Sequence, residues 1–425
     1  MVSRDLMERV LNEIQERELV DLAVNLVRIN SVWDPDSGTS EEQAAGFVAS
    51  WARSQGFQVL VEEAAPGRPN VIIHWNAGQG SRRLMFEGHT DVVTPGDPLQ
   101  WKHDPFGGEI LEGRLYGRGA NDTKGNLAAM LIAMAAIKRA SPRLKGSILG
   151  GVLCDEEGLM LGVQDFIRRG HADRVTGAII CEPQDGHICP VQKGAIRARF
   201  LVKGRMSHGA MPLAGLNPVA ALPRLIDGLW EMEQQAAGSL GKDPLLGWPS
   251  FTPTVVRAPA RGPAQLNVVA SRAELLVDIR TIPAQSHQGI IESLQELADR
   301  ARQETVRAYG GLDSLLGVQR DLSLEVALEV LSDRPCTHTP MEDPLVRSVD
   351  WATRLLTQQE PRYSGVPGAT DGTFLWACKG IPIVTIGAGA REVPHQVDEW
   401  VDLAQLLLTA KIYALSALAY LSEEG

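Results

Sequence analysis

The sequence predicts an α/β protein in which a mostly parallel, mixed sheet is interrupted by a smaller α+β domain. Three observations predict this. Strand-like and helix-like segments alternate from residue 57 to 183 and again past 334, the pattern of helices layered on a parallel sheet. Between these stretches, "GAIRARFLVKG" (194–204) alternates apolar and polar residues as a half-exposed antiparallel strand does. Imidazole and carboxylate side chains recur where apolar runs end, the place where open α/β sheets gather ligands.

The elements follow in order. Residues 4–29 place apolar side chains at helical spacing among charges and read as one amphipathic helix, and 41–55 as a second. "FQVLVEE" and "NVIIHW" read as strands, and "RRLMFEGHTDVV" as a buried strand running into a loop. Residues 94–119, rich in Gly, Pro and aromatics, read as loop. A helix over 123–140, a strand over 147–154, a helix near 159–169 and the strand "GAIICEP" follow. The middle stretch reads as helix 217–235, a Gly/Pro-rich connection over 238–263, strand "AELLVDIR", helix 285–305 and strand "LSLEVALEVL". Past "DRPCTHTP" come helices at 343–357 and 371–379, strand "IPIVTIG" and a final helix over 401–422. The simplest organisation is a discontinuous domain, 1–189 plus 334–425, with 190–333 inserted.

With 425 residues the chain is too long for one ordinary core. Its 52 acidic residues against 41 basic ones give a net charge of −11, which argues against nucleic acid or an anionic membrane as partner. Five cysteines without a CxxC pair suggest reduced thiols and a cytoplasmic setting. The opening "MVSRDLMERVLNEIQEREL" is charged throughout, unlike a signal peptide. The longest apolar run, "LAAMLIAMAAI" (127–137), is too short to span a bilayer and reads as a buried helix.

The chemistry-bearing residues are His89 and Asp91 in "FEGHTDVV", Asp122 in "GRGANDTKGN", the block "LCDEEG" (153–158), Glu182 in "CEPQ" and His395 in "EVPHQVDEW". Each has a plain structural alternative. Asp122 or Asp155 would cap a helix, and Glu156 and Glu157 would favour its first turn. Together, however, His89, Asp122, Glu157, Glu182 and His395 mark strand ends of one sheet. A mixed imidazole and carboxylate set suits zinc, with manganese or cobalt as alternatives. Five ligands exceed one tetrahedral site but suit two ions sharing a carboxylate. Without cations, convergent carboxylates would repel and raise one another's pKa values.

The segments "GHTDVV", "DPFGGEILEGRLYGRGANDTKG", "CDEEG", "CEP", "HGAMPLAGLNPV", "LNVV", "LLVDIR", "GATDG" and "PHQVDEWV" follow one another in a familiar order. In these the chain resembles the metallopeptidase family of acetylornithine deacetylase, succinyl-diaminopimelate desuccinylase, aminoacylase and the glutamate carboxypeptidases. The resemblance implies a metallohydrolase catalytic domain with an inserted lid and dimerisation domain, hence a homodimer. It implies that Asp122 bridges two divalent ions, that His89 and Glu182 complete one site, and that Glu157 and His395 complete the other. Asp91 would orient His89, and Glu156 would be the general base for a metal-bridging hydroxide. In the inserted domain, His208 would stabilise the oxyanion, and Asn267 and Arg280 would hold a substrate carboxylate, a task suited to bidentate Arg. The loops 368–372, with Asp371 and Gly372, and 387–390 would wall the substrate pocket. Thr123 departs from the family, many of whose members have Met after the bridging Asp.

The activity implied is hydrolysis of an amide-like C–N bond in a small carboxylate-bearing substrate, of N-acyl amino acid or dipeptide type. Alternatives are an aminohydrolase, or a carbamoyl or formyl amidohydrolase, acting on a non-peptide C–N bond, aromatic amino acids included. A non-catalytic binding protein on the same fold would be expected to lack a ligand or the base, and none is missing here. A nucleotide enzyme is disfavoured because no P-loop or GxGxxG fingerprint is present.

Overall fold

The computed structural model describes residues 2–140 and 144–422. It divides into two compact units, the first comprising 1–192, 337–366 and 370–425, the second 193–336 and 367–369.

The first unit opens with α1 (Arg4–Asn12), α2 (Glu16–Val27) and α3 (Glu42–Ser54), then β1 (Gln58–Ala65), β2 (Arg68–Asn76) and β3 (Arg82–His89). The single helix read over 4–29 is thus two. Val10 and Leu19 are both buried, and on one continuous helix residues nine apart would face opposite ways. The break at Gln15, whose backbone is extended, turns both inward. Residues 94–119, read as loop, contain a hairpin of β4 (Glu109–Leu111) and β5 (Arg114–Tyr116). Its two turn residues, Glu112 and Gly113, both have positive φ, as a tight hairpin whose turn matches the strand twist requires.

Next come α4 (Lys124–Ala140), β6 (Gly146–Leu153), α5 (Leu161–Arg168), β7 (Gly177–Ile180) and β8 (Ile188–Gln192). The last was not legible as a strand, because Pro190 breaks the pattern inside it. Helix α4 is buried from Lys124 to Ile137, as a helix apolar all round must be.

The second unit is built from β9 (Gly194–Lys203), β10 (Ser207–His208), α6 (Leu222–Leu240), β11 (Ser250–Arg257), β12 (Val268–Val269), β13 (Arg272–Thr281), α7 (His287–Leu316) and β14 (Glu325–Arg334). Four strands form an antiparallel sheet in the order β11-β13-β9-β14. Ile196, Ala198, Phe200 and Val202 of β9 pack with Leu225, Leu229, Leu294 and Leu297 of the two helices. Strand β11 falls in the stretch read as a connection. It carries Pro253 at a register shift on the sheet edge, where proline is tolerated.

In this unit His287 Nδ1 lies 2.5 Å from Asp333 Oδ1, and Nε2 lies 2.7 Å from Thr281 Oγ1. Burial works against the imidazolium, but the hydrogen bonds from Asp333 and Cys336 outweigh it and raise the pKa to about 9. A folded pKa above the unfolded value gives stability that is complete below about pH 6.5 and is lost as pH rises through about 9. Chemical denaturation should therefore show the wild type losing about 1–2 kcal/mol over that window, discounted because Asp333 is solvent-exposed. His287→Gln should flatten the loss.

The chain then adds β15 (Thr337–His338), α8 (Pro344–Thr357), β16 (Tyr363–Val366), α9 (Gly372–Lys379), β17 (Ile383–Thr385), β18 (Trp400–Asp402) and α10 (Leu403–Ser422) to the first unit. Its nine-stranded sheet has the order β1-β2-β6-β3-β7-β17-β8-β15, with β16 beside β8. The central strands β6, β3, β7 and β17 run parallel, and antiparallel pairs lie toward the edges. Helix α10 is long and apolar enough to cross a bilayer, yet Leu406, Ile412, Tyr413, Leu415 and Leu418 are buried in the core shared with α4 and α8.

Candidate metal centre

Three neighbouring parallel strands deliver most of the site. His89 ends β3, opposite Leu153 at the end of β6, so the turn 154–158 begins beside it. Strand β7 pairs with the other side of β3 and ends two residues before Glu182. Asp122 comes from the loop entering α4, across a cis Asp122–Thr123 peptide. His395 comes from the loop before β18.

The side chains form two sets with one member in common. His89 Nε2 lies 3.3 Å from Asp122 Oδ1 and 3.4 Å from Glu182 Oε1. His395 Nε2 lies 2.7 Å from Glu157 Oε1 and 3.5 Å from Asp122 Oδ2. Asp122 thus turns one oxygen to each set, and each set could hold a metal ion.

The donor chemistry fits divalent cations. Among the described residues, Glu182 Oε1 is buried with no hydrogen-bond partner other than the long contact to His89. Burial and the neighbouring Asp122 push the Glu182 carboxyl up to about 7 and also raise Glu157. Burial pushes Glu156 well above the usual carboxylate range, Glu182 and Glu157 adding to it, although His89 opposes the rise. Hydrogen bonds to Asp122 and Glu157 raise His395 to about 10. Burial opposes ionisation of Asp122, but His395 and His89 hold its carboxyl low. The protein groups by themselves are therefore a crowded set of acids, partly neutralised by protons that cations would replace.

The supporting residues explain how this crowding is held. Asp91, expected to orient His89, meets its Nδ1 with the backbone carbonyl at 3.0 Å, and against the effect of burial its carboxylate acts on the same imidazole, raising its pKa. The nearest Asp91 carboxylate oxygen is 3.4 Å away. That carboxylate accepts the N–H groups of Glu156 at 3.1 Å and Glu157 at 3.0 Å, fixing both acids. Asp155 has positive φ. It accepts from the N–H groups of Leu159 and Leu161 at the start of α5, and pairs with Arg68 at 2.5 Å. Of the three adjacent acids it is the one that caps.

Glu399 was not singled out from the sequence. It is fully buried, pairs with Arg118 and accepts from the N–H groups of Gly119, Asn121 and Asp122, each at 3.0 Å. Arg118 also donates to the His395 carbonyl at 3.3 Å, so this pair ties the Asp122 loop to the His395 loop. The one available signal was an acid four residues past a ligand-type His, at the start of an apolar segment. Glu399→Ala should destabilise the fold by about 3–5 kcal/mol in thermal or denaturant unfolding, because it leaves Arg118 buried and unpaired. Thr123 donates to the carbonyl of Cys181 at 2.6 Å, fixing the strand end that carries Glu182. The 387–390 loop closes against Asn121, since a Cβ at Gly389 would lie 2.0 Å from its Oδ1.

Residues 85–419 match the model of peptidase family M20/M25/M40. The chain belongs to this family. It is a metal-dependent hydrolase acting on C–N bonds. The succinyl-diaminopimelate desuccinylase of Cereibacter sphaeroides is 31% identical over 402 residues, covering 93% of this chain and 96% of the relative. That of Methylocella silvestris is 30% identical over 410 residues, covering 93% and 96%. The fold is shared with the di-peptidase Dug1p of Saccharomyces cerevisiae (TM-score 0.74, 16% identity, 99% of each chain). It is also shared with YXEP of Bacillus subtilis, described as a dinuclear metal binding peptidase of family M20 (TM-score 0.67, 16% identity, 96% of this chain and 98% of that one).

The remaining site residues of this M20 hydrolase are placed as follows. In the second unit, His208 is exposed and pairs across β10 and β12 with Val268. Gly209 donates to the Asn267 carbonyl at 2.7 Å, so His208 and Asn267 are neighbours. The Arg280 guanidinium is engaged by Asp278, with Nε 2.6 Å from Oδ1. Asp371 and Gly372, expected to wall the substrate pocket, are both tightly enclosed. Asp371 is fully buried, and its charge adds to burial in raising the pKa values of Glu87 and Glu156. Gly372 is packed so tightly that a Cβ would lie 2.6 Å from Ile383 Cδ1.

Proposed function

We propose that this chain hydrolyses the amide bond of a small N-acyl amino acid or dipeptide at a two-ion centre. His89, Asp122 and Glu182 would hold one ion, and Asp122, Glu157 and His395 the other. The observation that carries this reading is the division of Asp122, one oxygen toward each set. Two divalent cations, zinc first with manganese or cobalt as alternatives, would polarise the carbonyl and lower the pKa of water when bound. Glu156 takes the proton from the attacking water and delivers it to the leaving nitrogen. Asp91 holds the Glu156 backbone so that its carboxyl keeps one position through both transfers. His208 stabilises the oxyanion. Arg280, with Asn267, receives the substrate carboxylate, exchanging its bond to Asp278 for one to the ligand.

The relatives' printed names make N-succinyl amino acids the first substrates to try. A screen with zinc- and manganese-loaded protein should cover N-succinyl and other N-acyl amino acids, dipeptides, N-carbamoyl acids and aminobenzoates. Turnover of the first two classes is expected. Turnover confined to the last two would replace the amide reading with an aminohydrolase or carbamoyl amidohydrolase.

The assembly belongs to the same proposal: a homodimer through the inserted unit, working in the cytoplasm with its cysteines reduced, and independent of nucleic acid or membrane. If His208 acts across the dimer, mixing inactive His208→Ala and Glu156→Gln subunits should restore measurable activity. Mixtures as inactive as their parents would place the site within one chain.

A further inference from the structure

The first unit carries a second pocket that the catalytic centre does not explain. It has a volume of about 500 Å³ and is lined by β1, β2, β3, β6 and the segment 170–174 that follows α5. Its floor is one face of the sheet. Gln58 stands opposite His74, His74 opposite Leu149, and Leu60 opposite Ile72. Arg83 lies beside Ser147 on the next strand pair. Because Arg83 precedes His89 by six residues on β3, strand rise puts the pocket roughly 20 Å from the metal centre.

Its charge is unbalanced. Arg83 donates from Nε to Ser147 Oγ at 3.1 Å, and no carboxylate lies within ion-pair distance of it among the described residues. Arg174 is exposed and likewise has no carboxylate partner among them. The one acid lining the pocket, Asp173, is taken by Lys379 at 2.6 Å. His171 is taken by Glu62 at 2.7 Å. His74 Nε2 is buried with no hydrogen-bond partner among the described residues. Burial and then the neighbouring Arg174 make Arg83 a weaker base than usual, and burial followed by Arg83 lowers the pKa of His74. Two guanidinium groups lining one pocket without a carboxylate partner among the described residues, in a chain of net charge −11, are a cost that an anion would remove. Val59, Leu60, Ile72 and Leu149 add apolar lining, the usual mixture in a small-molecule site.

We propose that this pocket is a second ligand site, which binds a small organic anion with its carboxylate or phosphate head on Arg83 and Arg174 and its apolar body against Leu60, Ile72 and Leu149. Either head accepts the paired donors of a guanidinium, and His74 Nε2 offers one further polar contact. The site is independent of the substrate assigned to the metal centre.

The test is calorimetric titration of the full-length, metal-loaded protein with benzoate, phenyl phosphate and inorganic phosphate. Arg174→Glu is the principal variant, because Arg174 is exposed and its replacement breaks no internal contact. Arg83→Lys, which keeps the charge, is the second. At least one of the two organic anions should bind wild type more tightly than inorganic phosphate. One binding event should be at least about tenfold weaker in Arg174→Glu, with substrate turnover unchanged. Benzoate as the tighter ligand identifies a carboxylate site, and phenyl phosphate a phosphate site. Isotherms identical in wild type and Arg174→Glu, or no binding of either organic anion up to about 10 mM, would overturn the proposal.

Discussion

Glu156→Gln should retain the fold and the full metal content while kcat falls by about 10²–10⁴. The amide has the same shape as the carboxylate but cannot accept a proton. The contact that places residue 156 runs from its backbone N–H to Asp91 and survives the substitution. Burial makes the side chain a strong proton acceptor for a carboxylate, as a base working near neutral pH should be. Steady-state kinetics with metal analysis on the same preparation checks this. An unchanged kcat with full metal would remove Glu156 from the proton path and leave the metal assignment standing.

Asp122→Ala should abolish detectable turnover and reduce bound metal from two ions to one or none per chain. Both sets lose a donor at once, because each uses a different oxygen of the same carboxylate. His395→Ala removes a donor from one set alone and should leave one ion bound. Two ions retained in Asp122→Ala, counted by elemental analysis, would refute the shared carboxylate.

Three of the donors were legible because each follows a local apolar run that identifies a strand, and strand ends of a parallel sheet collect at one edge. His89, Glu157 and Glu182 stand one after another along that edge for this reason. Strands β8 and β11 were not legible, because a proline sits inside each and their pairing depends on partners elsewhere in the chain. The break between α1 and α2 escaped notice because apolar spacing continues through it. Only the direction of the core distinguishes Val10 from Leu19.

The division of labour in Asp155-Glu156-Glu157 needed both levels. Local sequence allowed all three acids to cap a helix. The fold assigns that work to Asp155, through Arg68 from β2 and the N–H groups of α5. It leaves Glu157 facing Asp122 and His395, and Glu156 held by Asp91.

The sequence by itself determined the kinds of residue at the strand ends, the α/β alternation and the family, since these rest on short segments whose chemistry does not depend on distant neighbours. The tertiary structure alone decided that Glu399, a residue 277 positions from Asp122, cradles its loop. It also decided that Asp371 is fully buried, and that Arg83 and Arg174 line one pocket whose single lining acid is held by Lys379. The physical reason is the same in each case: burial and the pairing of charges are set by groups far apart in the chain, and no local pattern records which of them will meet.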